Sequence, residues 1–421
     1  MSGATFRGLG LRLGASSLNQ RVLKLVGPRL PRLTGQLPWL ALRERPATPL
    51  RGADWARVTP RLAGICGSDL ALLTGKASAV LSPFASFPAV LGHEVVGVIA
   101  EVGNQVGLTV GQRVVIDPVI SCAVRDLDAC PPCLEGRYAL CQRAADGELS
   151  AGMMTGYCRD LPGGWSTGML VHRSQLHPVP DALSDEVAVL VEPLSIALHA
   201  VLADPPRSGE RIVVVGGGTI GLATVAALHL TGAQADVTAV VRHPFQATLA
   251  ERLGATRSIL DRRGDGPVRA AVEVLGARPF RPLVGGPVLS GGFERVYDCV
   301  GSHASLEAAL RVTAPRGRIV LIGSAFEVGR LDWTLVWTRE LRIVGSYCYG
   351  LEASIEGAPH TFEHLMRLIA EHPQLPLAEL VTDRYPLDRW REAIGMALGR
   401  GGRRSVKVVF DHRQAYAGPN A

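Results

Sequence analysis

"RIVVVGGGTIGLATVAALHL", Arg211–Leu230, decides the fold. An apolar, β-branched run ends in glycines, and a helix-forming run follows. No Asp, Glu, Lys or Arg occurs from Ile212 to Ala235, a stretch long enough to suggest a membrane span. Gly216, Gly217, Gly218 and Gly221 argue against that, and a buried strand, turn and helix explain it better. Gly216, Gly218 and Gly221 make a G-x-G-x-x-G pattern, informative because a strand precedes it and a helix follows. Glycines let the main chain approach a pyrophosphate. The helix start, at Thr219 and Ile220, presents free N–H groups and the positive end of its dipole. A tight turn without a ligand would use the same glycines; the flanking pattern favours a dinucleotide.

An acid roughly 20 residues beyond the last glycine would bind the ribose hydroxyls of NAD. Val241 stands there instead, followed by Arg242 and His243. A guanidinium suits a 2′-phosphate, which tilts the choice toward NADP. NAD stays open, since Arg242 can equally be a solvated loop residue.

Strand and helix patterns alternate on either side of this turn. Strands are expected at "RIVVVG", "ADVTAVV", "RSIL", "ERVYDCVG", "GRIVLIG" and "LRIVGSY", with helices such as "PFQATLAERLG" and "SLEAALRVT" between them. Such alternation predicts a parallel sheet covered on both faces. "GARPFRPLVGGPVLSGG" (276–292) reads as an excursion loop. Two amphipathic helices, "TFEHLMRLIAEH" and "DRWREAIGMALG", and a strand, "SVKVVF", close the chain. Upstream, "VVGVIAEVG", "GQRVVIDP" and "GWSTGMLVHRSQLHPVP" read as short strands bounded by turns. Ser184 is placed to cap the first helix after them.

The chain has 421 residues, too many for a single core. Its formal charge of +6 is concentrated at the start: residues 1–43 hold seven basic residues and no acid. The remainder carries 37 basic against 38 acidic residues, so nucleic-acid binding loses its electrostatic argument. The basic start is compatible with a transit peptide or, more simply, with a short extension before an opening strand.

Three short motifs lie far apart: "GICGSDL" with Cys66, Ser68 and Asp69; "GHE" with His93 and Glu94; and "VEPLSIALHA" with Glu192. Singly, each has a structural explanation: a buried thiol, a helix cap or a surface acid. Together, ahead of a dinucleotide fold, they supply the N, S and O donors that zinc prefers.

These motifs, with "LGHEVVGVIAEVG", "GQRVV" and "DCVG", make the chain resemble the zinc-dependent medium-chain dehydrogenase/reductase family of alcohol, sorbitol and threonine dehydrogenases. The resemblance runs from about residue 21 onward. It implies an α/β protein in three parts. Residues 1–20 are an N-terminal extension, residues 21–185 and 350–421 a β-rich GroES-like catalytic domain, and residues 186–349 a Rossmann doubly wound parallel-sheet cofactor domain. It implies catalytic zinc on Cys66 and His93, with Glu94 and Glu192 as carboxylate candidates. Ser68 would relay the proton and Asp69 would orient His93. Gly216, Gly218, Thr219, Ile220, Gly221, Arg242, Val300, Gly301 and Gly323 would bind NADP or NAD.

"CAVRDLDACPPCLEGRYALC" spaces Cys122, Cys130, Cys133 and Cys141 as C-x7-C-x2-C-x7-C. The family's structural zinc lobe resembles it but has two residues, not seven, after the first cysteine. A flexible insertion costs little loop-closure entropy, so four thiolates can still share a zinc ion. Disulfides and a lobe that has lost its metal are the competing readings. Cys158, Cys299 and Cys348 read as buried residues.

The function these features imply is interconversion of an alcohol (secondary alcohol, polyol or amino alcohol) and its ketone or aldehyde, by hydride transfer with NAD(P). The alternatives are a zinc-free enoyl or quinone reductase of the same superfamily, or a dinucleotide-binding protein without turnover. The expected partner is a small alcohol or carbonyl, with no nucleic acid and no membrane. A cytoplasmic homodimer or homotetramer fits the resemblance. "GKASAVLSPFASFPAVLGHE" (75–94), on the approach to His93, is short of charge, which disfavours a phosphorylated or strongly acidic substrate.

Overall fold

The computed structural model describes residues 5–11, 39–46, 48–324, 328–399 and 405–414. The expected start of the catalytic domain at residue 21, and basic residues such as Arg12, Lys24 and Arg32, lie outside them. The chain forms two compact units, Met1–Glu192 with Val381–Ala421, and Pro193–Leu380. Among the described residues, no helix is long and apolar enough to cross a membrane.

The first unit is built on a strand path. Val381–Tyr385, Lys407–Asp411, Trp55–Gly64, Val95–Val102, Arg113–Ile116 and Leu176–Pro178 follow one another across the sheet. Met169–His172 also pairs with Trp55–Gly64. All pairs are antiparallel except the first. Alternate residues of these strands, among them Val58, Val95, Ile99 and Val114, bury against Trp165, Trp390 and Phe410. Ser184 caps Asp185–Ala188, its hydroxyl accepting from the Val187 N–H. The expected extension over 1–20 is more than that. Thr5–Leu11 is a strand that pairs antiparallel with Leu40–Pro46, from Thr5↔Pro46 to Leu11↔Leu40, and with Ala89–Val90.

The second unit holds six strands: β1 (Arg211–Val215), β2 (Asp236–Val241), β3 (Arg257–Leu260), β4 (Phe293–Asp298), β5 (Thr313–Leu321) and β6 (Arg342–Gly345). Their order is β3-β2-β1-β4-β5-β6, and every pairing is parallel. All six strand expectations are met. The order reverses between β1 and β4, the place where such sheets bind ligands beyond the strands' carboxyl ends. The helix after β1, α1 (Thr219–Leu230), is buried along most of its length, which explains its membrane-like composition. The 276–292 stretch contains a small hairpin, Arg278–Phe280 against Val288–Ser290, rather than a plain loop.

The return to the first unit falls at Val381, later than the expected 350. The helix Thr361–Glu371 therefore belongs to the cofactor unit, and only Trp390–Ala397 belongs to the first. Side-chain contacts supply the reason. Phe362 packs on Tyr349 at 4.7 Å, His372 meets His229, and the Arg252 guanidinium forks onto Glu379 at 2.6 and 2.7 Å.

Candidate active site

Cys66 lies two residues beyond the strand Trp55–Gly64 and caps the helix Gly67–Leu73. Three residues on, Asp69 turns back and its Oδ2 accepts from the Cys66 N–H at 3.1 Å. Asp69 thus closes the helix cap, and it stands beside His93 without a hydrogen bond to the ring. Its Oδ1 lies 3.5 Å from His93 Nδ1, a long approach between two buried groups. Cys66 Sγ, a His93 ring nitrogen and a Glu94 carboxylate oxygen all lie within 4.8 Å of one another.

The electrostatics suit a cation. Burial would push the His93 imidazole down, but the Asp69 carboxylate and Cys66 outweigh it and hold the ring well above its usual value. Glu94 is buried and held by Lys407, whose Nζ donates to both carboxylate oxygens at 2.6 and 2.7 Å. Burial opposes the Lys407 charge as well; Glu94, Cys66 and Glu192 overcome it. Gly64 makes this arrangement possible, because a Cβ there would collide with the Glu94 carboxylate. Glu192 is buried in the same electrostatic neighbourhood, on the helix Val191–Leu202, but stands outside the 4.8 Å set. The structure therefore brings Cys66, His93 and Glu94 together and leaves Glu192 apart. A half-buried thiol beside a buried imidazole and a buried carboxylate is a fitting donor set for zinc.

Ser68 is joined to a residue that the sequence did not signal. Its Oγ lies 3.0 Å from the Tyr157 hydroxyl, which donates to Asp69 Oδ1 at 2.9 Å. Burial raises the Tyr157 phenol well above its usual value, and the charges of Asp69 and Cys66 add to that. Lys407 was missed for the same reason as Tyr157. Each reaches the site from a distant segment without a recognisable motif.

The four-cysteine lobe closes as a cluster. All eight cysteines of the chain are free thiols, so the disulfide reading fails. Cys122, Cys130, Cys133 and Cys141 place their sulfurs within 4.8 Å of one another, with Cys122 3.6 Å and Cys130 3.9 Å from Cys141. Four sulfurs bound to one zinc ion at about 2.3 Å would stand roughly 3.8 Å apart. Burial works against the Cys130 thiolate, but the N–H groups of Gln142 and Cys133 and neighbouring thiols pull this thiol down, while Cys133 and Cys141 are pushed up, burial being the main cause. Arg125, inside the inserted segment, is buried and donates to the carbonyls of Asp146, Leu149, Ser150 and Gly152 at 2.8–3.2 Å. The extra residues thus carry their own anchor. Cys158 and Cys348 are buried as expected. Cys299 is partly exposed, and burial raises its thiol to about 12.

In the second unit, Gly216 takes φ = +120°, and a Cβ on Gly221 would collide with the Gly216 carbonyl. At Gly218, the cap of α1, a Cβ would meet nothing within 4 Å, which leaves room for a phosphate over the helix start. Asp298 ends β4 and accepts from the N–H groups of Val300 and Gly301 at 3.0 and 3.1 Å. Gly323, past β5, packs so closely on Val300 and Gly301 that no side chain fits. The expected cofactor residues on β1, β4 and β5 therefore share one end of the sheet. Arg242 follows β2 with an exposed side chain, its N–H donating to Gln246 Oε1.

Comparison with known proteins agrees with this geometry. Residues 52–181 match the alcohol dehydrogenase GroES-like domain, and residues 219–371 match the zinc-binding dehydrogenase domain. The chain is 29% identical to a sorbitol dehydrogenase of Bombyx mori over 79% of this chain and 85% of that protein. It is 30% identical to the starvation-sensing protein RspB of Escherichia coli K12, over 73% of this chain and 80% of that one. A zinc-binding dehydrogenase of Sinorhizobium meliloti solved with NADP shares the fold. Its TM-score is 0.70 at 25% identity, covering 97% and 99% of the two chains. With these likenesses over both units, the chain belongs to the zinc-dependent medium-chain dehydrogenase family, whose members are NAD(P)-dependent oxidoreductases.

Proposed function

We propose that Cys66 and His93, with Glu94 or Glu192, hold a catalytic zinc ion, and that the chain oxidises a secondary alcohol, polyol or amino alcohol, or reduces the matching carbonyl. The convergence of Cys66, His93 and Glu94 carries this reading. Zinc in that place supplies a Lewis acid that acidifies an alcohol hydroxyl near neutral pH. Ser68 accepts and passes on the proton, and Asp69 fixes the imidazole. Gly216, Gly218, Thr219, Ile220 and Gly221 cradle the pyrophosphate; Val300, Gly301 and Gly323 flank the nicotinamide half. Arg242 favours NADP through its 2′-phosphate. Segment 75–94 disfavours a phosphorylated or strongly acidic substrate: Lys76, His93 and Glu94 are its only ionisable side chains, and Val80, Leu81 and Phe84 are exposed.

Cys122, Cys130, Cys133 and Cys141 hold a second, structural zinc. A zinc-free reductase would have no use for two convergent donor sets. The free thiols suit the cytoplasm. Among the described residues β6 is the outer strand of its sheet, and this edge, with Val344 exposed, suits a dimer or tetramer. Metal analysis tests the reading together with a panel of alcohols and ketones, each assayed with both cofactors by absorbance of the reduced nicotinamide. About two zinc ions per chain and turnover with NADPH are expected. A metal-free protein inactive on the whole panel would end the proposal.

A further inference from the structure

The Tyr157 hydroxyl is the only contact between Ser68 and Asp69 that the two side chains share among the described hydrogen bonds. Asp69 is a carboxylate and can only accept, so the phenol's proton goes to Oδ1. The phenol oxygen then accepts from the Ser68 hydroxyl. This fixes the direction of both protons. Ser68 directs its O–H at Tyr157 and keeps its lone pairs for an incoming hydroxyl. The Asp69 oxygen that takes the phenol's proton is also the one 3.5 Å from His93 Nδ1, and the Tyr157 ring packs against the His93 ring with centroids 5.5 Å apart. One side chain thus touches the relay serine, the carboxylate beside the imidazole, and the imidazole itself.

We propose that Tyr157 is the positioning residue of the metal site: its hydroxyl sets Ser68 as a proton acceptor and holds Asp69 in place behind His93. The backbone adds to this role. The Tyr157 carbonyl accepts from the Ser86 N–H at 3.0 Å, so the segment that carries the phenol is also tied to the apolar stretch leading to His93. Phenylalanine at this position would keep the ring and lose both hydrogen bonds. The inference rests on the assignment of Ser68 as relay and of His93 as a zinc ligand.

The test uses full-length zinc-loaded protein carrying Tyr157→Phe, Ser68→Ala, or both. Zinc retention is read as metal content after dialysis against graded chelator, and kcat and KM are measured with the best alcohol of the panel. Groups that orient metal ligands typically contribute 10–100-fold to metal affinity or activity. Tyr157→Phe is therefore expected to weaken zinc retention at the catalytic site about 10-fold. It should lower kcat by a similar factor with KM nearly unchanged. In the Ser68→Ala background the further loss in kcat should disappear, because the phenol acts on turnover through Ser68. The loss in zinc retention should remain, because that part runs through Asp69.

Wild-type zinc retention in Tyr157→Phe, or fully additive losses in kcat, would overturn the proposal. Should the phenylalanine variant fold poorly, Tyr157→Gln, which keeps an N–H donor, is compared with Tyr157→Leu. Better zinc retention by the glutamine variant supports the hydrogen-bonding role, and equal retention overturns it. Zinc retention is read without turnover. A protein that binds zinc and oxidises no alcohol would sink the proposed reaction and leave this test standing.

Discussion

Glu94 shows how one residue can be pulled by two partners. It lies close enough to Cys66 and His93 to share a cation with them, yet Lys407 already grips both of its oxygens. A buried pair of this kind is costly to break from one side, because the remaining charge has no water to turn to. In chelator-treated protein, Lys407→Met is expected to lower stability to urea by about 3–5 kcal/mol. Pairing it with Glu94→Gln should restore most of the loss. If the single variant unfolds at the wild-type urea concentration, the pair is not carrying that charge. Cys66 makes the complementary case. Its sulfur bears on both His93 and Lys407. Cys66→Ala should abolish turnover and remove about one zinc ion per chain, while NADPH still binds, measured by the quenching of protein fluorescence. Turnover in that variant would relocate the chemistry.

At the scale of an element, the cysteine lobe shows why an insertion need not keep four thiols apart. The five additional residues between Cys122 and Cys130 carry Arg125, whose guanidinium satisfies carbonyls from Asp146 to Gly152. Methionine has similar length but no donors. Each buried carbonyl left unsatisfied costs about 1–3 kcal/mol, so Arg125→Met should loosen the lobe. The readout is zinc release to a colorimetric chelator: one of two ions should leave faster, and the other at the wild-type rate. Cys133→Ser should remove the first ion altogether. Equal release of both ions from Arg125→Met would mean that the insertion plays no part in holding the lobe. This element also marks a boundary of what the sequence could say. Cysteine spacing is local, so four convergent thiols were legible. Arg125 acts on carbonyls some twenty residues away, a relation that no spacing encodes.

Across the whole molecule the same division holds. β1, β2 and β4 were legible because strands buried on both faces read as continuous apolar runs, the more exposed β3, β5 and β6 from their alternation with helices, and the glycine turn from its own neighbours. Thr5–Leu11 was not legible as a strand, because its two glycines give it weak propensity and its partner is about thirty residues away. Tyr157 and Lys407 reach their partners across 88 and 313 residues. The C-terminal strand that delivers Lys407 also delivers His412, which ties the end of the first unit to its beginning. His412 donates its N–H to the Arg61 carbonyl, and its Nε2–H to the Gly164 carbonyl at 3.0 Å. Burial lowers its imidazole to about 4. An unfolded histidine titrates near 6.5, so between these values the unfolded chain holds a proton that the folded chain refuses. The stabilising contribution is therefore complete above about pH 6.5 and is lost as the pH falls toward 4, amounting to roughly 3 kcal/mol. Carboxylates act in a separate window. Burial would raise Asp185, but Arg61, Arg113 and Arg413 hold it below the ordinary aspartate value, so its contribution fades only at still lower pH. Urea unfolding followed by tryptophan fluorescence from pH 7 to 4.5 separates the two. His412→Gln keeps an N–H donor for Gly164 and cannot take up a proton, so it should match the wild type at pH 7 and be more stable than it at pH 4.5. Parallel curves for the two proteins across that range would assign the acid sensitivity of this unit elsewhere.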